Sequence, residues 1–290
     1  MRNLLIILFS IFLYSSNTGY SQDTLNTPNV QAILYKGIGN KQPLVVGFGG
    51  SEGRNAWASR YWQKTREEFI QKGYAFLAVG YFGSKGTPAI LDKIALDEVY
   101  NAISAAKQHP LIDGNKIALI GGSRGADLAL LIGTYYSDIS CVIAMSASHA
   151  VFPGHTQDFT SSCWTYKGKE LPFVPVNEAA IPFMMKQDLR SSFEAMLMDS
   201  IAEKKALIQV EKINGPILLM AATRDEIIPA VEMGKKMAAR LKSYHFKHSY
   251  ELAIYEGTHV EPTRHFDKIF SFLAEHFFSD IKKLMVGNKN

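Results

Sequence analysis

The chain has 290 residues, 47% of them hydrophobic and 20% charged, with a formal net charge of +4. That length and balance describe one large globular domain, or at most two small ones, with enough apolar surface to bury a real core. So slight a positive charge, with no Lys/Arg cluster beyond two or three residues, excludes a nucleic-acid surface as the main role.

The first stretch, "MRNLLIILFSIFLYSSNTGYSQ", carries one positive charge at Arg2, then an apolar run from Leu4 to Tyr14, then small residues. Gly19 and Ser21 stand at the spacing of a leader-peptidase site. The run is too short to span a bilayer comfortably and fits the core of a secretory signal over residues 1–21. An uncleaved anchor is the alternative reading. No cysteine follows the run, so a lipid-anchored form is not expected. The mature chain, 22–290, is expected to be secreted or periplasmic, with no stable membrane insertion once the leader is removed. Export permits a disulfide. The chain has only two cysteines, Cys141 in an apolar strand pattern and Cys163 in an aromatic loop, and nothing in the sequence pairs them.

After the leader, "VQAILYKGIGNKQPLVVGFGG" reads as two strands joined by a Gly/Asn turn. "NAWASRYWQKTREEFIQKG" has helical spacing through Trp57, Tyr61, Trp62 and Phe69, with Gly73 as its stop. "YAFLAVGYF" is a continuous apolar strand, and "LDKIALDEVYNAISAAKQHP" is an amphipathic helix ended by Pro110. The strand "KIALIGG" meets the helix "RGADLALLIGTYY" with no loop between, and "SCVIAMSAS" is again a strand. Strands alternate with helices, and the inner strands are apolar without alternation. That pattern predicts an α/β fold whose mostly parallel sheet is covered on both faces. The rhythm lapses over about residues 148–214, aromatic and proline-rich at first and helical later, which predicts a cap inserted over the sheet. It resumes with strand "PILLMAA", helix "AVEMGKKMAARLKS", strand "YELAIYE" and a final helix from about Pro262 to Phe278.

The junction "IGGSRGADL" contains Gly-x-Ser-x-Gly over residues 121–125, with a strand before it and a helix directly after it. That context turns a weak pattern into a nucleophile candidate: Ser123 sits on a sharp turn that glycines two before and two after make sterically feasible. A plain strand-to-helix turn with a spare serine is the bland alternative. A serine needs a base, and the base needs an orienting acid. In a sheet of this type the three are expected in the order Ser, Asp or Glu, His, each just past a strand. "TRDEIIPA" after one strand offers Asp225, with Glu226 as the fallback. "EGTHVEP" after the next offers His259. His149 and His155 precede the acid and break the order. His245, His248, His265 and His276 fall in or beside helices.

Stabilising a developing oxyanion requires two backbone N–H groups. One is expected from Arg124, whose N–H matters here more than its charge. The other is expected from the loop "GGSEG", with Gly50 preferred and Ser51 the near alternative. A phosphate-binding reading of these glycines fails for want of Gly-Lys-Ser/Thr. The histidines lack paired spacing and the cysteines lie far apart, so neither a metal nor a cofactor is called for. The aromatics Phe152, Phe159, Trp164, Tyr166 and Phe173 are candidates for an acyl pocket, or equally for the core of the insertion itself.

On "FGGSEG", "KGYAFLAVGYFG", "HPLIDGNKIALIGGSRGADLALLIG" and "IQVEKINGPILLMAATRDEIIPA" the chain resembles the catalytic, C-terminal domain of acyl-CoA thioester hydrolases and bile-acid-CoA:amino-acid N-acyltransferases, part of the dienelactone-hydrolase-like α/β-hydrolases. The resemblance covers about residues 42–275. It implies an α/β-hydrolase fold and a Ser (or Cys), Asp, His triad, which falls on Ser123, Asp225 and His259. In that family amino-acid transfer looks tied to cysteine, so a serine here favours hydrolysis. The resulting expectation is an exported serine hydrolase acting on a small-molecule acyl ester or thioester. An acyltransferase, a peptidase and a non-catalytic binding module on the same fold are the alternatives.

Overall fold

A computed structural model describes residues 20–278. All but the last two residues of the expected leader lie outside that range. In chain order the elements begin with β1 (Ser21–Leu25), β2 (Gln31–Lys36), β3 (Gln42–Phe48), α1 (Gln63–Gln71) and β4 (Ala75–Gly80). They continue with β5 (Ile94–Ala95), α2 (Leu96–Lys107), β6 (Ile112–Gly122), α3 (Arg124–Tyr135) and β7 (Cys141–Met145). Between β7 and the next strand of the main sheet come β8 (Trp164–Tyr166), β9 (Lys169–Glu170), α4 (Ile181–Met185), α5 (Leu189–Met196) and α6 (Ser200–Ala206). The chain closes with β10 (Ile217–Ala222), α7 (Ala230–Ser243), β11 (Tyr250–Tyr255) and α8 (Phe266–His276).

The main sheet has eight strands in the order β1-β2-β4-β3-β6-β7-β10-β11. Only β1 with β2 and β2 with β4 pair antiparallel; every other pairing is parallel. The unbroken apolar runs follow from burial on both faces. Leu44, Val46 and Phe48 of β3 join Ile117 and Leu119 of β6 on the face covered by α2 and α3. Val45, Ala118 and Ile120 point the other way, toward Phe69 of α1 and Ile269 and Leu273 of α8. A third cluster joins Phe152, Ala195, Met196 and Ala206 of the segment after β7 to Ile228, Ala230 and Met233 around the start of α7.

One strand goes beyond the expected elements, and two expectations need revision. The polar "SQDTL" of β1 carries no strand signal, yet it pairs along the antiparallel edge, where Lys36 reaches Asp23 at 2.7 Å. The first helix is shorter than its apolar spacing suggests. Trp57 sits in a separate 3₁₀ turn, where its indole N–H donates to the Phe48 carbonyl at 3.1 Å and the Arg66 guanidinium bonds its own carbonyl. The pattern "SFEAMLMDSIAEKKAL" divides into α5 and α6, because Asp199 caps α6 by accepting from Ile201 and Ala202 N–H. Cys141 and Cys163 are both buried free thiols.

Candidate active site

The parallel strands β3, β6, β10 and β11 all deliver their C-terminal ends to one edge, the usual place for a site in such a sheet. Ser123 occupies the junction of β6 and α3 with φ 54° and ψ −126°. This positive φ costs a non-glycine residue on the order of 1–3 kcal/mol, so the surroundings must impose it. They do so backbone against backbone. A Cβ on Gly121 would stand 2.0 Å from the Gly125 carbonyl oxygen, and one on Gly125 would stand 2.3 Å from the Gly49 oxygen. The Ser123 N–H donates to the Met145 carbonyl at 2.8 Å, tying the turn to the end of β7.

Asp225 follows β10 and is 1% exposed. Its Oδ1 accepts from the N–H groups of Ile227 and Ile228, both at 2.9 Å, which fixes the carboxylate plane. Its Oδ2 lies 2.8 Å from Nδ1 of His259, which follows β11. An ionised carboxylate only accepts, so this contact places the imidazole proton on Nδ1 and leaves Nε2 free to take one. Glu226 is used differently: its Oε2 accepts from the backbone N–H of His259 at 2.9 Å. The hydroxyl of Ser146, at the end of β7, donates to the His259 carbonyl at 2.7 Å. The histidine is therefore held at ring and amide from the end of β10 and at its carbonyl from the end of β7. Nothing in the sequence singled out Ser146, whose partner is 113 residues away.

Gly50 lies against the nucleophile candidate. A Cβ there would be 3.2 Å from that of Ser123 and 2.8 Å from Glu52 Oε2. Ser51 is solvent-exposed. The loop is held from behind by the Tyr81 hydroxyl, which donates to the Gly49 carbonyl at 2.7 Å.

Ser123, His259 and Gly50 line a cavity of about 890 Å³ together with Ser51 and Arg124. Of the five aromatics singled out, only Phe159 reaches it. Trp164 and Phe173 pack with the main core, Tyr166 packs on Tyr135, and Phe152 is buried in the third cluster. The wall comes instead from Leu189, Phe193 and Met196 of α5, with Met184 and Val176 before it. The spacing of those α5 residues, i, i+4, i+7, is an amphipathic signal that was available in the sequence. Trp57 and Trp62, stacked at 4.5 Å between centroids, line it as well.

Arg124 brings more than a backbone N–H. The residue is 7% exposed, and its guanidinium lies 5.6 Å from the ring centroids of both Phe152 and Phe193. Its Nη1 is 3.3 Å from Oδ2 of Asp127, one turn further along α3. Burial lifts the Asp127 carboxyl to about 6, with Arg124 and the Ser148 N–H pulling the other way. Of the earlier histidines, His155 borders the cavity. His149 is buried with Nε2 2.5 Å from Glu203. His265 stacks on Tyr255 at 3.7 Å.

Against known proteins, the family described as BAAT / Acyl-CoA thioester hydrolase C terminal matches residues 96–262, more than half of the chain. The chain belongs to this family. The match runs from the first turn of α2 to beyond β11 and takes in Ser123, Asp225 and His259. Among curated family relatives, mouse acyl-coenzyme A thioesterase 1 is 24% identical over 193 residues, covering 66% of this chain and 43% of the mouse protein. Mouse acyl-coenzyme A thioesterase 5 is 23% identical over 221 residues, covering 75% and 49%. The chain thus spans less than half the length of either. Among solved structures, an esterase of Pyrococcus furiosus superposes with a TM-score of 0.61 at 16% identity, over 90% of this chain and 94% of that one. A putative dienelactone hydrolase from Klebsiella pneumoniae gives 0.53 at 12% identity, over 83% and 86%. With the mostly parallel sheet, these likenesses make the fold that of the α/β hydrolases.

Proposed function

We propose that the protein is a serine hydrolase that cleaves carboxylic ester or thioester bonds through an acyl-enzyme. The observation that carries this reading is the 2.8 Å contact between His259 Nδ1 and the buried Asp225, in a cavity that Ser123 and Gly50 share. Ser123 Oγ attacks the acyl carbon as His259 Nε2 takes its proton. The oxyanion is received by the backbone N–H groups of Arg124 and Gly50. The proton then passes from Nε2 to the leaving alcohol or thiol. Water, deprotonated by the same nitrogen, releases the acid. Asp225 keeps the imidazole in the tautomer that leaves Nε2 unprotonated and balances the charge it gains.

The apolar wall of the cavity suits an acyl chain. The segment over residues 148–214 serves as the cap that supplies much of it. Thioesters are included because the named relatives are acyl-coenzyme A thioesterases. We place the mature protein outside the cytoplasm on the leader alone; N-terminal sequencing of the exported chain checks that reading.

A fluorophosphonate probe tests the chemistry. The wild type is expected to label covalently at one site and Ser123→Ala not at all. A wild type that stays unlabelled, or a variant that labels equally well, overturns the reading in favour of a binding module. Product analysis with and without amine acceptors separates hydrolysis from acyl transfer.

A further inference from the structure

The cavity carries more charged groups than the reaction uses, and most of them are balanced. Arg124 pairs with Asp127 at 3.3 Å, and the exposed Arg264 pairs with Glu261 at 3.4 Å. His259 is engaged by Asp225 at 2.8 Å. Burial, helped by Arg124, pushes the His155 imidazole down to about 4, so it is uncharged at neutral pH. Glu52 differs from all of these. It lines the cavity, and among the described residues its carboxylate takes part in no hydrogen bond or ion pair.

Although Glu52 is open to solvent, its carboxylate folds back over the two glycines after β3. A Cβ on Gly49 would meet Oε1 at 3.0 Å, and one on Gly50 would meet Oε2 at 2.8 Å. The Gly50 position also stands 3.2 Å from the Ser123 Cβ, so acid and nucleophile face each other across the space of one methyl group. The Gly49 position stands 2.7 Å from the Cβ of Ala56, where the turn that carries Trp57 begins. Tyr61 and Trp62 line the same cavity, with Trp62 stacked on Trp57 and Tyr61 edge-on to it at 5.0 Å. A negative charge beside the Gly50 amide opposes the oxyanion that forms there. With a neutral substrate Glu52 therefore slows the reaction that the rest of the site promotes. A cation on the substrate reverses that effect, since the acid attracts it, aromatic faces accept it, and its charge offsets the acid.

We propose that Glu52, with the aromatic wall of Tyr61 and Trp62, is a cation subsite, and that the preferred substrates carry an ammonium group a few bonds from the acyl carbon. The proposal rests on the serine-hydrolase reading. The separation is short because the carboxylate and Ser123 share the space beside Gly50. The acyl part and the leaving group meet at the same carbon, so the test separates the two as carriers of the charge.

The test compares kcat/KM within two pairs of esters that differ only in a quaternary nitrogen replaced by carbon, each rate divided by that of spontaneous hydrolysis. In 4-nitrophenyl 4-(trimethylammonio)butyrate against 4-nitrophenyl 5,5-dimethylhexanoate the charge is on the acyl part. In butyrylcholine against 3,3-dimethylbutyl butyrate it is on the leaving alcohol. In at least one pair the wild type is expected to favour the cationic ester about fivefold or more at low salt, the scale of an exposed ion pair reinforced by an aromatic face. The pair that shows it identifies the part that carries the cation. Glu52→Gln, neutral and of the same shape, is expected to slow the cationic ester and speed the neutral one. Absence of preference in both pairs overturns the subsite, as does a preference that Glu52→Gln leaves intact. A Glu52→Gln variant that slows both members alike makes the residue purely architectural and overturns it too. Calorimetry separates this inference from the mechanism. Ser123→Ala is expected to bind butyrylcholine or methyl 4-(trimethylammonio)butyrate more tightly than Ser123→Ala combined with Glu52→Gln, even if no ester is turned over. Equal binding of both ligands counts against the subsite whatever the catalytic result.

Discussion

At the scale of single residues, the two neighbouring acids after β10 divide the labour on one histidine. Asp225 faces the ring and Glu226 the backbone amide. Asp225→Asn is therefore expected to lower kcat by about 10⁴, because the amide favours the wrong tautomer. Glu226→Gln, which keeps an acceptor oxygen, is expected to cost no more than about tenfold. Steady-state kinetics on the two variants checks the assignment. Ser146→Ala removes one hydrogen bond to the His259 carbonyl, worth about 1 kcal/mol, and is expected to lower kcat several-fold with KM little changed. The order Ser123, Asp225, His259 was legible because each follows its own apolar run. Asp225 was preferred over Glu226 in the sequence, but the separate contact that Glu226 makes with the His259 amide was not legible, since it depends on where the turn aims two adjacent side chains. Ser146 was invisible for a related reason: its partner lies on another strand end. Sequence likewise does not show that the Arg124 side chain borders the cavity.

At the scale of elements, the turn from β6 to α3 depends on how closely three stretches of backbone approach. Gly125→Ala would drive a methyl group into the carbonyls of Phe48 and Gly49. It is expected to displace the Gly50 loop, lowering the melting temperature and abolishing probe labelling together. The glycine spacing announced that turn in the sequence. Gly121 keeps clear of Gly125 within the turn, whereas Gly125 keeps clear of the end of β3, which only the sheet order β3-β6 brings alongside. The limits of helices were less legible. Trp57 keeps the periodicity of α1 but is drawn into its own turn by hydrogen bonds that the pattern does not encode. In α3, burial raises Asp127 from 3.8 to about 6, so the folded chain binds more protons than the unfolded one between those values. Its contribution to stability is thus fullest below about 4 and is lost as pH rises to about 6. Urea unfolding at several pH values is expected to show that decline in the wild type and a flatter profile in Asp127→Asn.

At the scale of the whole molecule, a two-faced sheet supplies fixed strand ends, and the segment between β7 and β10 lines the cavity beside them with α5 while sharing a core with the start of α7. The sheet was legible because its inner parallel strands are buried on both faces and are therefore apolar throughout, in alternation with amphipathic helices. The inner lining of the segment was not, because its aromatics and the side chains of α5 compete for two interiors, its own core and the cavity. The aromatics mostly fill cores, and α5 faces the void.

The stacked pair Trp57 and Trp62 gives the molecule an optical property. The chain has three tryptophans, and the remaining one, Trp164, is sealed in the main core. Two of the three indoles therefore sit on the wall of the void, one stacked on the other. Filling that void replaces water against an indole face, so ultraviolet emission is expected to change with occupancy, in proportion to the ligand bound. A Trp62→Phe variant is expected to lose most of that response while keeping the constant background of Trp164. Titrating Ser123→Ala with methyl hexanoate, read at the emission maximum, makes the protein its own label-free gauge of what enters it.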